Sequence, residues 1–328
     1  MPTDAPRWGL TLPLDGVPLH QHREIVSAVA DLGFTDVWSA ETAGSDAFTP
    51  LALFSTWSPT LRFGTAIVPA QTRGPALLAM SAASLADAAP GRFALGLGAS
   101  SPAIVEAWNG IPFEQPFQRV RDTLRFLRRA LTGEKIDEAY ETFTVRGFRL
   151  ARVPEQQPPI LLAALRPGML RLAGKEADGA ILNWLAVTDV PKAVSELGPE
   201  GKAKEVAARI FVCPSTDRAF VGVLARRLIT SYLTVPAYRA FHEWLGRSET
   251  LGPMWEAWEA GDRKAANAAI PDEVVDALIV HGTPEECRAH LRAYVEAGVT
   301  TPVAALLPTP EIGTPAGLMA AIHSVAPA

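Results

Sequence analysis

The amino-acid sequence predicts a closed (β/α)8 barrel, the TIM-barrel arrangement, with a helical insertion between strands seven and eight. Three observations lead there. Eight short apolar runs alternate with helical patterns along the chain, which favours a closed barrel over a doubly wound open sheet. Asp31-Leu32-Gly33, Ala177-Asp178-Gly179 and Glu296-Ala297-Gly298 each end a helix just before a strand, a local echo of a repeated unit. The 328 residues are long for one ordinary domain but fit one such barrel, so 1–328 reads as a single domain.

Trp8 to Leu12 is strand one, closed by Pro13, and a polar loop with His20 and His22 follows. Ile25, Val26, Val29 and Leu32 form the inward stripe of a helix that Gly33 stops. Asp36 to Glu41 is strand two. The C-terminal ends of barrel strands face the active site, which makes Glu41 a catalytic candidate; a hydrated or helix-capping carboxylate is the alternative. Arg62 to Val68 is strand three, and Pro75 opens the helix that Pro90-Gly91 breaks. Strand four, Phe93 onward, runs through Gly96 and Gly98 into Ala99, Ser100 and Ser101. That loop can cradle a cofactor, although no third glycine follows to make a dinucleotide fingerprint. Phe117, Val120, Leu124, Leu127 and Leu131 mark an amphipathic helix whose arginines, Arg121, Arg125, Arg128 and Arg129, read as a solvated face. Tyr140 to Arg152 reads as an extra hairpin.

The most informative stretch is Pro159 to Leu185. Ile160 to Ala164 is a short unbroken apolar run behind two prolines, as expected of a strand buried on both faces. Arg166-Pro167-Gly168 then turns into a helix carried by Met169, Leu172, Ala173 and Ala177, and Ala180 to Trp184 is strand six. Strand, turn and helix N-terminus present backbone N–H groups to an anion, and Arg166 can add a bidentate contact; most such helix starts bind only water. Ala208 to Pro214 is strand seven. The stretch 217–277 exceeds one crossover and reads as short helices over the barrel top, its tryptophans Trp244, Trp255 and Trp258 forming a small core of their own. Thr283-Pro284-Glu285-Glu286 is a capping box, and Val303 to Leu307 is strand eight.

The formal net charge of −5 and the lack of a Lys/Arg block argue against nucleic acid and anionic membranes as partners, leaving a small molecule. The first residues lack a charged-then-apolar leader, and no apolar run approaches the roughly 20 residues of a membrane helix, so a cytoplasmic protein is expected. Two cysteines, Cys213 and Cys287, are too few for a disulfide framework and read as buried thiols. The scattered histidines argue against a catalytic metal, and no serine elbow or P-loop appears. The predicted upper rim is rich in small residues and backbone donors, among them Ala66, Gly98, Ala163 and Gly168. It suits a planar cofactor with a phosphate tail.

In order, V-W-S-A-E, R-F-G-T-A-I-V-P, G-R-F-A-L-G-L-G-A-S-S and A-A-L-R-P-G-M-L-R-L-A-G-K-E-A-D-G-A-I-L-N-W resemble the luciferase-like monooxygenase superfamily, within it the coenzyme F420-dependent oxidoreductases. H-G-T-P-E-E-C-R-A-H-L-R-A-Y-V-E-A-G-V adds to the resemblance. It implies a deazaflavin at the strand C-termini, over a non-prolyl cis peptide at Ala66-Ile67. It implies cofactor contacts at Gly98, Ala99, Ser100, Ala164, Leu165, Arg166, Pro167, Gly168, Met169 and Asn183, with the phosphate met by the loops Leu165 to Met169 and Ala99 to Ser101. Glu41 matches an acidic position near the ring. Ser101 stands where a sugar-phosphate branch has its acid, and Thr42 where that branch has a histidine, which argues against glucose 6-phosphate. The implied reaction is hydride transfer to or from a small organic substrate, with Glu41 and then Ser101 as proton candidates, in a homodimer. An FMN-dependent monooxygenase and a non-catalytic cofactor-binding barrel are the alternatives.

Overall fold

A computed structural model of the chain describes residues 6–309, 312 and 314–327. Residues 1–5, where the stretch read as leaderless begins, lie outside the described residues. Strands occur at β1 (Gly9–Thr11), β2 (Asp36–Ser39), β3 (Arg62–Thr65), β4 (Val68–Pro69), β5 (Phe93–Gly98), β6 (Ile136–Ala139), β7 (Thr144–Phe148), β8 (Ile160–Ala163), β9 (Gly179–Asn183), β10 (Glu205–Cys213), β11 (Ile279–His281) and β12 (Thr301–Leu306). Parallel pairing runs β1-β2-β3-β5-β8-β9-β10-β12 and returns to β1, which closes the eight-stranded barrel. The antiparallel β6–β7 hairpin stands apart, a few residues earlier than Tyr140–Arg152. Among the described residues no helix is long and apolar enough to cross a membrane.

Outside the strands lie α1 (His22–Asp31), α2 (Phe48–Ser55), α3 (Pro75–Ala88), α4 (Pro116–Ala130), α5 (Pro167–Glu176) and α6 (Val190–Ser195). The insertion contributes α7 (Arg218–Leu233), α8 (Pro236–Trp244), α9 (Ser248–Glu259), α10 (Arg263–Ala268) and α11 (Asp272–Leu278), and α12 (Pro284–Glu296) and α13 (Pro315–Ser324) complete the chain. Proline occupies the first turn of α3, α4, α5 and α12, where its missing N–H is no loss. The predicted capping box is formed: the Glu286 N–H donates to Thr283 Oγ1 at 3.3 Å, and the Thr283 N–H to the Glu286 carboxylate at 2.7 Å.

Strand alternation divides every barrel strand between an outer face packed on helices and an inner face. Leu10, Val37, Phe63, Leu95, Leu162, Leu182, Ala208 and Ala304 belong to the outer core, whereas Trp38, Ala94, Leu161, Ile181, Ala207 and Val303 fill the interior. Below this interior layer lies a polar one. Asp36 is fully buried between Arg7 (2.8 Å) and Arg62 (3.3 Å), and Arg62 reaches Glu205 at 2.8 Å, which also accepts from Thr301 Oγ1 at 2.9 Å. Burial raises the Asp36 carboxyl above its ordinary range, opposed by the two guanidinium groups.

Several local readings change. His22 is not in a polar loop: it begins α1, fully buried, and its Nε2 accepts from the Leu14 N–H at 2.9 Å. The α4 arginines are not merely solvated, since Arg125 pairs with Glu176, Arg128 with Asp178 and Arg121 with Glu141. They line a recess of about 630 Å³ on the outside of the barrel, and these carboxylates balance its charge internally. Cys213 and Cys287 are buried as expected, and burial pushes the Cys287 thiol up to about 12.

The insertion builds its own core around Val221, Ile229, Leu251, Met254 and Trp255, continuous with Trp184, Phe211 and Ala305 of the barrel. Its last piece, β11, pairs with β10 at Phe211–Cys213, whereas β9 pairs with β10 only over Glu205–Arg209. The β9–β10 seam therefore opens toward the C-terminal rim, and the insertion occupies the gap.

Candidate active site at the barrel mouth

Strand alternation places Thr11, Ala40, Ala66, Gly98, Ala163, Asn183, Arg209 and Ala305 at the inward positions of the C-terminal rim. Six are small and six are partly exposed, whereas the middle of the barrel is filled with side chains. Strand three is interrupted there. Between β3 and β4, Ala66-Ile67 is a cis peptide, and the Ala66 N–H donates to the Ser39 carbonyl at 2.6 Å. Thr65 pins this bulge to β5, its Oγ1 donating to the Gly96 carbonyl (2.9 Å) and accepting from the Gly96 N–H (2.8 Å).

The two strand-four glycines differ in purpose. A Cβ on Gly96 would collide with the Thr65 backbone carbonyl, so that glycine serves the approach of β3. A Cβ on Gly98 would stand 2.9 Å from Ala163 Cβ and 3.0 Å from Ile67 Cγ1, so that glycine widens the space between bulge and β8. Ala66, Ile67, Gly98 and Ala163 thus meet in one shallow cradle. Ala164 does not join it: its side chain is fully buried in the outer core, because it follows Ala163 and alternation turns it away.

Beyond β5, Ser100 adopts φ +64, and Ser101 caps a π-helical turn, Ala103–Trp108, its Oγ accepting from the Ile104 N–H at 3.4 Å. Beyond β8, Arg166 is extended and exposed ahead of Pro167 and Gly168. The Met169 N–H already donates to the Arg166 carbonyl at 3.0 Å, and Met169 and Leu165 pack on the outer core. Open space surrounds Gly168, with Phe117 as its nearest neighbour at 4.0 Å from a built Cβ.

Glu41 lies past the end of β2 and is not isolated. Its Oε1 is 2.6 Å from Arg73 Nη1, and its Oε2 accepts from the Ala47 N–H at 3.1 Å. Thr72 Oγ1 donates to it at 3.5 Å. A carboxylate so held is a fixed acceptor at the rim, a role the sequence did not distinguish from a free acid.

The opposite kind of group occurs at β9 and β10. Asn183 Nδ2 donates to Tyr238 Oη at 3.0 Å, which ties the barrel to α8. Trp184 is fully buried, at 4.3 Å from the Phe211 ring and 4.9 Å from Tyr232. Trp255 is buried within the insertion and Trp244 stacks on Phe241, so the insertion's aromatics nearest the rim are the tyrosines Tyr232 and Tyr238. Arg209 and Tyr238 were absent from the residues singled out in the sequence. The signal for Arg209 was present: a lone arginine in the otherwise apolar run V-A-A-R-I-F-V-C.

Three inward atoms of this rim, Thr11 Oγ1, Asn183 Oδ1 and Arg209 Nε, are buried without a hydrogen-bond partner. Buried polar atoms left unsatisfied cost about 1–3 kcal/mol each, and a bound ligand removes that cost. A cradle of small residues beside unsatisfied polar atoms fits a flat cofactor and a polar substrate. Among the described residues no cluster of metal-ligating groups is found.

Known proteins share this fold. The model of the luciferase-like monooxygenase family matches residues 4–301. A 5,10-methylenetetrahydromethanopterin reductase of Methanolobus tindarius is 28% identical over 281 residues, covering 83% of this chain and 86% of that one. The coenzyme F420 dependent tetrahydromethanopterin reductase of Methanopyrus kandleri superposes with TM-score 0.79 at 20% identity, over 98% of this chain and 97% of that one. An FMN-bound type II Baeyer-Villiger monooxygenase from Pseudomonas putida superposes with TM-score 0.68 at 17% identity, over 98% and 97%. Matched by its family model along most of its length and folded as the barrel that these enzymes share, the chain belongs to the luciferase-like monooxygenase family and is an oxidoreductase of that class.

Proposed function

We propose that the barrel mouth binds coenzyme F420 and that the enzyme transfers a hydride between it and a small organic substrate. The observation that carries this reading is the cradle in which the small residues Ala66, Gly98 and Ala163 meet Ile67 at the bulge, leaving room for a flat ring. The coenzyme F420 dependent reductase among the similar proteins supports the deazaflavin reading, and the FMN-bound monooxygenase keeps FMN as its alternative. When bound, the deazaflavin supplies a hydride donor or acceptor at ring position five. The protein would supply position and exclusion of water: the bulge and Gly98 would hold the ring, and Tyr232 and Tyr238 of the insertion would wall the mouth.

Arg166, Pro167 and Gly168 at the exposed start of α5, with the turn Ala99 to Ser101, would hold the phosphate tail. Leu165 and Met169 shape the first loop by packing beneath it. Glu41, clamped by Arg73, orients or accepts the proton that accompanies the hydride, and Ser101 is the second candidate. A cytoplasmic homodimer belongs to the same reading, with exposed Leu77 and Met80 on α3 as apolar contact residues.

The test is a parallel titration of the purified apoprotein with coenzyme F420 and with FMN, followed by cofactor fluorescence. Preferential F420 binding supports hydride transfer. Preferential FMN binding moves the assignment to an oxygen-using monooxygenase, and binding without turnover on alkenes, imines and alcohols moves it to a cofactor-binding barrel.

A further inference from the structure

The barrel interior holds three arginine or carboxylate positions on the inward face of β3 and β10, and only one of them is unbalanced. Glu205, Ala207, Arg209 and Phe211 alternate inward along β10. Glu205, the carboxylate on the same face as Arg209, is already taken by Arg62 at 2.8 Å. Arg209 is left with the Phe211 ring, 4.8 Å from its guanidinium carbon, and with a buried Nε that has no hydrogen-bond partner. A half-buried guanidinium that keeps an unsatisfied donor is costly unless something anionic arrives.

Register places Asn183 directly beside it on β9, and Asn183 in turn holds Tyr238. Tyr238 Oη accepts the Asn183 amide hydrogen, which leaves its own hydrogen to donate; burial pushes that hydroxyl up to about 12, so it stays protonated at neutral pH. In this orientation Asn183 Nδ2 keeps Tyr238 in place, and the unsatisfied Asn183 Oδ1 is an acceptor open to a hydroxyl or amine of the same ligand.

The geometry points to a substrate carboxylate bound by Arg209, with Tyr238 as its neutral hydrogen-bond donor and Asn183 as the residue that positions Tyr238, at the rim where the β9–β10 seam opens. The inference rests on the reading of the mouth as the reaction site and adds the charge of the substrate to it. Arg209 supplies the positive charge and a directed N–H, Tyr238 a second donor from the insertion, and the Phe211 ring fixes the guanidinium plane. The insertion thereby selects substrates through Tyr238 as well as covering them.

The experiment uses the full-length protein and two shape-matched probes, benzoate and benzamide, with isothermal titration calorimetry and, in parallel, the coenzyme F420 titration. Benzoate is expected to bind more tightly than benzamide. Arg209→Gln should weaken benzoate by about 10- to 100-fold with F420 affinity unchanged, Arg209→Lys should restore part of it, and Tyr238→Phe should weaken benzoate by about three- to tenfold. Equal affinity for the two probes, binding of neither, or benzoate affinity unaltered in a folded Arg209→Gln protein overturns the assignment. A loss of F420 affinity in Arg209→Gln without loss of benzoate also overturns it and gives Arg209 to the cofactor. Arg209-dependent benzoate binding in a protein that takes no F420 leaves the carboxylate site standing while removing the proposed cofactor.

Discussion

Arg73 Nη1 lies 2.6 Å from Glu41 Oε1, so the acidic residue at the end of β2 is held by a cation from the loop that leads into α3. The guanidinium is itself fixed over the Phe48 ring, 5.3 Å from its centroid. Glu41→Gln keeps the shape and the Ala47 contact but discharges the pair. It is expected to lower kcat by about 100-fold, with F420 affinity changed by less than about threefold. Arg73→Gln should reproduce part of that loss. Full turnover by Glu41→Gln in steady-state assays would remove Glu41 from the proton path.

The glycines of β5 predict two different failures. Gly98→Ala places a methyl group 3.0 Å from the Ile67 side chain, which can turn aside, and 2.9 Å from the Ala163 Cβ, which moves only with its strand by a few tenths of an ångström. Folding should survive, and F420 binding should weaken by about tenfold as the cradle narrows. Gly96→Ala drives its methyl into the Thr65 carbonyl, and backbone does not yield so readily. That protein should lose about 3 kcal/mol or more in urea unfolding. Equal stability of the two variants would contradict this division.

The polar layer beneath the interior core is a matter of stability rather than chemistry. Arg62, only 10% exposed in its side chain, serves Asp36 and Glu205 together. Arg62→Met removes the cation from Glu205 and leaves Asp36 with Arg7 alone, and should cost about 3–5 kcal/mol. Replacing Arg62 and Glu205 together by apolar residues should recover part of the loss, which a double-mutant cycle in denaturant reads directly.

His242 gives the acid limb of stability. Its Nε2 donates to the Trp184 carbonyl at 2.9 Å, and burial, with Arg247 nearby, lowers it from 6.5 to about 3. Between these values the unfolded chain binds a proton that the folded chain refuses. The contribution is complete above about pH 6.5 and is lost as pH falls, by about 1.4 kcal/mol per pH unit. His242→Gln keeps a donor for the carbonyl and should flatten the slope between about pH 6.5 and pH 4.5 in urea titrations.

The order of the barrel was legible because each strand carries a short apolar run and each helix ends at glycine or proline, signals that survive in one dimension. Parity was less so: Ile160 to Ala164 looks equally apolar throughout, and only the register with β9 shows that Ala163 faces the mouth and Ala164 the helices. Glu41 was found by its place at a strand end, but its partner Arg73 sits in another unit and left no local trace. Tyr238 was hidden for a like reason. Its contact with Asn183 spans 55 residues and depends on how α7 folds α8 back across the rim.

The opened seam between β9 and β10 gives the two halves of the mouth different coding. The cradle side is assembled from positions scattered between Ala66 and Ala163, each fixed by a separate strand. The wall that faces it comes from one continuous segment, 218–281, anchored at both ends to β10. A segment of that kind can be exchanged as a cassette, and on the proposed reading its exchange alters substrate selectivity without touching the cofactor cradle. Chimaeras made at residues 217 and 282 would carry the donor's substrate range and the recipient's cofactor.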